Sequence, residues 1–167
     1  MRFMLIAILA LTLAGCALFK GKNEPSAQAG QVMAYLDQGQ DKAALALAED
    51  MVRANPDDYQ NYLVMNTVHL AEKDLDAAQA DNSKALEVFQ ARANTYPEKE
   101  RGLREAKIRE SMALTALIQA KEHQTDKAKL KKLEAFYEEQ VAKLKQLDQA
   151  TYQHLLDLTG DTGKEGN

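Results

Sequence analysis

Across residues 32–155 apolar side chains return every third or fourth position, and that spacing leaves the chain one class of fold, all-α. Val32, Tyr35 and Leu36 mark one helical face; Ala44, Leu47, Ala48 and Met51 mark the next. Gly39-Gln40 separates the two runs, and Asn55-Pro56 stops the second. Strand-like alternation of β-branched and aromatic residues is missing, and the commonest residues are strong helix formers. Helices are therefore expected near 27–38 and 41–54. A second hairpin follows: one helix from Tyr59 to about Glu72, a turn at Lys73-Asp74, and a helix from Leu75 to about Thr95, closed by Tyr96-Pro97.

The two hairpins superimpose at an offset of 34 residues. Ala44 falls on Ala78, Met51 on Ala85, Tyr35 on His69 and Gln28 on Tyr62. Small residues at the first positions allow paired helices to approach, and large ones at the others fill the space between neighbours. The pattern resembles the tetratricopeptide repeat, a helical hairpin of that period. Tyr62, Ala78 and Ala85 carry most of the resemblance; Lys73, where glycine is usual, and His69, where tyrosine is usual, depart from it. The resemblance implies degenerate repeats over residues 30–97 and a groove lined by the first helix of each hairpin. Tyr59, Asn61, Met65, Asn66 and Val68 are then candidate groove residues, with Tyr59, Asn61 and Asn66 expected to contact a partner.

The second half, residues 98–158, reads as a longer helical hairpin packed on the first. Its first helix is expected at 98–122, and a turn follows at His123-Gln124-Thr125-Asp126, with Thr125 or Asp126 as N-cap. From there the stripe Leu130, Leu133, Tyr137, Val141, Leu144, Leu147, Tyr152 and Leu155 predicts one continuous helix to about Leu158. Residues 159–167 are Gly-rich and polar and are expected to be disordered.

At the other end, Met1-Arg2 is a short positive region before an apolar stretch at 3–14, too short for a membrane-spanning helix but suited to a signal peptide. It ends in Leu13-Ala14-Gly15-Cys16, which holds the chain's single cysteine. These residues resemble the lipobox of bacterial lipoproteins. The resemblance implies removal of residues 1–15, acylation of Cys16, and a membrane-anchored N-terminus. Residues 16–29 would then be a lipidated tether, polar from Lys20 onward. Ala17 after the cysteine, where inner-membrane lipoproteins of this type carry Asp, implies an outer-membrane address facing the periplasm.

Chemistry-bearing motifs are sparse. With 21 Lys+Arg against 25 Asp+Glu, the chain lacks the basic footprint of a nucleic-acid binder. His69, His123 and His154 have no metal-site spacing and no second cysteine to join them. There is no phosphate loop and no nucleophile elbow. An enzyme, a cofactor, a metal or a small-molecule substrate is therefore not expected. Lys127, Lys129, Lys131 and Lys132 cluster at a helix start, where cations oppose the helix dipole. They read as a solvated face, or, with Lys127 and Lys131 foremost, as a contact for an acidic partner or anionic headgroups. The expected function is a lipid-anchored, protein-binding scaffold or assembly factor of the cell envelope, as in secretion, pilus or polysaccharide-export machinery. Rival expectations are an immunity or entry-exclusion lipoprotein, and an enzyme activator or spacer.

Overall fold

A computed structural model describes residues 26–160. The expected signal peptide, Cys16, most of the expected tether and residues 161–167 lie outside the described residues. The fold is all-α. Seven α-helices are present among the described residues: α1 (Ala27–Asp37), α2 (Asp41–Ala54), α3 (Tyr59–Glu72), α4 (Leu75–Arg92), α5 (Glu98–Glu122), α6 (Lys127–Leu147) and α7 (Gln149–Thr159). A 3-10 turn, Ala93–Thr95, follows α4.

Short polar side chains start most of these helices by accepting the orphan amides of the first turn. Ser26 Oγ accepts from Ala29 N at 3.2 Å, Asp58 Oδ1 from Gln60 N at 3.0 Å and Asp74 Oδ1 from Ala77 N at 3.0 Å. Asp126 Oδ1 accepts from both Ala128 N and Lys129 N, at 3.1 and 3.0 Å, so Asp126 rather than Thr125 is the cap of α6.

The helices stack in sequence as antiparallel-like pairs, α1 with α2, α3 with α4, α5 with α6, in a repeat-like arrangement. Each pair leaves one apolar face for the next helix to cover. Val32, Ala44, Ala48 and Met51 of the first pair enclose Val64, Met65 and Val68 of α3. Tyr59, Ala85 and Phe89 of the second pair close on Ile108 and Met112 of α5. Ala106, Ala113 and Leu144 of the third pair close on Leu155 of α7. The alanines the sequence marked as spacers, Ala44, Ala78 and Ala85, are fully buried. Because α1, α3 and α5 touch one another more than α2, α4 and α6 do, they form the tighter, inner layer of the stack.

One expectation is corrected. The helix expected to run unbroken to Leu158 stops at Leu147 and restarts at Gln149. Asp148 is extended, with φ −156° and ψ 111°, and its Oδ1 accepts from Thr151 N at 2.7 Å and Thr151 Oγ1 at 2.8 Å. An aspartate that can cap competes with helical continuation, and here the cap wins. The bend folds α7 back onto α5 as well as α6. The final helix also includes Thr159, the first residue of the expected tail.

Lys73 ends α3 at φ +63°, in the left-handed region. Glycine adopts that conformation without a Cβ penalty. Lys73→Gly is expected to raise stability by about 1 kcal/mol, read as a higher denaturation midpoint at unchanged slope; a lower midpoint would contradict the assigned backbone.

Candidate partner-binding surface

The groove residues expected from the sequence are turned inward. Asn61 is 7% exposed and its Nδ2 donates to Met51 O and Asn55 O, both at 3.0 Å, fastening the α2–α3 turn. Asn66 is 2% exposed, with Nδ2 donating to Ala78 O at 2.8 Å. It belongs to a polar junction where α3, α4 and α5 meet. Thr115 Oγ1 accepts from Asn82 Nδ2 at 2.9 Å and lies 3.3 Å from Asn66 Nδ2. The Ser111 hydroxyl lies 2.8 Å from Asn82 Oδ1 and 3.1 Å from Asn66 Oδ1, donating to one at a time. Tyr59 is also buried. It packs edge-on to Phe89 and Tyr96, while its hydroxyl accepts from Arg104 Nη1 at 3.3 Å. Burial pushes its phenol above the ordinary range, and Arg104 opposes that shift. None of these three side chains is free to grip a peptide. Each buried amide or hydroxyl already has its partner, and breaking such bonds costs more than a new contact returns.

Lys127 and Lys131 are exposed, as are Lys132 and Lys121 of the neighbouring α5 terminus. Asp126, before the run, is held below the usual carboxylate range mainly by the Lys129 backbone amide. Further along α6, Glu139 pairs with Lys143.

On α3 a row at helical spacing is half-buried, Gln60, Leu63, Thr67 and Leu70, with Leu63 packed in part on the second core. Half-buried Lys107, Leu114 and Ile118 make the corresponding row on α5, and Met33 and Leu36 stand half-buried on α1. Mixed apolar and polar rows of this kind suit contact with a polypeptide. No local signal in the sequence singles these residues out, since Tyr59, Asn61 and Asn66 on the same helix are buried instead of exposed.

Two histidines are paired to carboxylates across helices. His69 Nδ1 lies 2.6 Å from Asp81 Oδ2, joining α3 to α4. His154 Nδ1 lies 2.6 Å from Glu110 Oε1, joining α7 to α5. Glu110 is 1% exposed, and its Oε2 is buried without a hydrogen-bond partner. Burial pushes the Glu110 carboxyl up, His154 and Lys107 pull it partly back, and Asp148 adds to the rise. Asp81 is raised for the same reason, with His69 opposing. A third tie, Arg109, donates to Gln140 Oε1 at 2.9 Å and to Glu105 Oε1 at 2.9 and 2.5 Å. No group of three or more metal-ligating side chains occurs among the described residues. Compared with known protein families, with curated proteins and with solved structures, the chain matches none of them.

The raised carboxyl of Glu110 binds its proton more tightly in the folded state than in the unfolded one. Its contribution to stability is therefore complete below the ordinary glutamate range and is lost as pH rises through the folded value. The stability difference, native chain minus Glu110→Gln, is expected to fall as pH rises from about 5 to about 8. Urea titrations of both chains across that window check this; a difference that grows with pH would refute the assigned burial.

Proposed function

We propose that this chain is a lipid-anchored scaffold of the bacterial cell envelope that holds a protein partner on the inner layer of its helical stack. The observation that carries the reading is the sequence Leu13-Ala14-Gly15-Cys16 behind a short apolar leader. No helix among the described residues is long and apolar enough to cross a membrane, so attachment in this reading rests on acyl chains at Cys16. More than one chain is needed for stable anchoring. An outer-membrane address facing the periplasm follows from Ala17 in the same reading.

Two features support partner binding. The stack resembles tetratricopeptide repeats in the period of its first two hairpins, and repeat stacks offer extended surfaces built from successive first helices. The half-buried rows on α1, α3 and α5 lie on that layer. Anchoring then acts by concentration: a domain tethered to a bilayer meets other membrane-bound components at a much higher effective concentration than a free one. Assembly of envelope machinery is the process class this combination serves. The exposed lysines of α6 add a place for anionic headgroups or an acidic partner surface.

In cells, metabolic fatty-acid labelling is expected to mark the native chain and not Cys16→Ser. A photo-crosslinking side chain at Gln60, on the inner layer, is expected to capture a discrete partner, whereas one at Glu87, on α4, should not. Absence of label on the native chain removes the anchor; equal capture from both positions removes the inner-layer surface.

A further inference from the structure

Asp148 is the only residue between α6 and α7. The helical bond pattern reaches it from one side, with Asp148 N donating to Leu144 O at 3.0 Å, and leaves it on the other, with Tyr152 N donating to Asp148 O at 3.0 Å. What holds the bend is the Asp148 carboxylate on Thr151. If Asp148 turned helical, the amides of Gln149, Ala150 and Thr151 would find carbonyls four residues back, and α6 and α7 would become one rod. The apolar phase is ready for it: Leu130, Tyr137, Leu144, Thr151 and Leu158 fall seven residues apart.

The seat that α7 occupies does not depend on α7 coming from the same chain. Thr151, Leu155 and Leu156 are buried there, Leu155 against Ala106, Ala113 and Leu144. His154 Nδ1 meets Glu110 Oε1, joining α7 to the buried carboxyl of α5. Every one of those receiving side chains belongs to α5 or α6. Straightening Asp148 would carry α7 out of reach of its own seat and leave that seat open.

We propose that α7 exchanges between two copies of this chain: with Asp148 helical, each copy's α7 docks in the α5–α6 seat of the other. The occupant is a second copy because only α7 is already shown to fit the seat, in shape and in the His154–Glu110 pair. The closed monomer and the exchanged dimer then share the same α5–α7 contacts and differ at the hinge, the usual condition for exchange of an element. One residue is a short hinge, and short hinges favour exchange over closure. The inference is independent of lipid anchoring and of any partner on the inner layer.

The test uses the full-length chain in detergent micelles, with mass measured by sedimentation over a range of concentrations. The native chain is expected to show a dimer at high concentration. Asp148→Ala removes the cap from two hinges per dimer, and dimerisation is expected to strengthen about 30-fold. Inserting Gly-Gly between Leu147 and Asp148 keeps the cap on Thr151, eases closure, and is expected to abolish the dimer. The insertion chain preserves every native residue, so its comparison with the native chain stands even where Asp148→Ala unfolds. A one-to-one mixture of Glu110→Lys and His154→Glu chains, refolded together, is expected to melt higher than either alone, because exchange restores one native seat and pairs opposite charges in the other. A native dimer that survives the Gly-Gly insertion, or a mixture that melts no higher than its components, overturns the proposal; so does a native chain that stays monomeric throughout.

Discussion

Among the described residues, no pair of helices buries its own apolar face. Each closes only when the first helix of the following unit arrives: Val64 and Val68 for the first pair, Ile108 and Met112 for the second, Leu155 for the third. Stability in such a stack is set by interfaces between neighbours as much as by each unit. That explains the alanines. Ala44, Ala48, Ala78, Ala85, Ala106 and Ala113 have no exposed surface, and larger side chains there would push the layers apart. It also explains α7, which covers a face of the third pair that would otherwise meet water.

The same sharing of cores decides where polar groups can go. Where α3, α4 and α5 converge, Asn66, Asn82, Ser111 and Thr115 satisfy one another instead of leaving the site apolar. A network of this kind admits few alternatives. Sliding α5 by one turn would put one of these hydroxyls in the other's place and bring Lys107 or Gln119 into the site that it left, so the four-residue set would be broken and a buried polar group left short of a partner, at a cost of about 1–3 kcal/mol. Leucine and alanine interfaces tolerate such slips far better. The junction therefore fixes register between the second and third units, with Gln119 Nε2 on Leu75 O at 2.7 Å one turn further along.

These facts mark how far sequence reading carries. Helix existence and most boundaries were legible, since apolar spacing, Asp and Ser caps and the Gly39 and Pro97 stops are local signals. The polar residues were not. Asn61 and Asn66 look like groove ligands because the repeat resemblance puts the first helix of each hairpin along a groove, and nothing local reveals that their partners stand 10 and 12 residues away. Glu110 and His154 are 44 residues apart, so no motif could join them. Asp148 misled in the opposite way. The apolar stripe passes through it unbroken and reads the same whether the helix is straight or bent. Periodicity reports which side of a helix is apolar, and it is indifferent to a bend that keeps that side facing the core.

The inner layer gains its meaning from this division. With Tyr59, Asn61 and Asn66 committed to holding helices together, the proposed recognition would fall to side chains with surface still to give: Gln60, Leu63, Thr67 and Leu70 on α3, and their counterparts on α1 and α5. In that reading a half-buried, mixed surface would bind through many small contacts rather than one deep anchor. Affinity of that kind is modest for a freely diffusing domain. It becomes effective when one partner is confined near the other, because confinement removes much of the entropy lost on association. A stack with such a face and a sequence that reads as an acylated anchor are therefore complementary halves of one physical solution: weak recognition made sufficient by place.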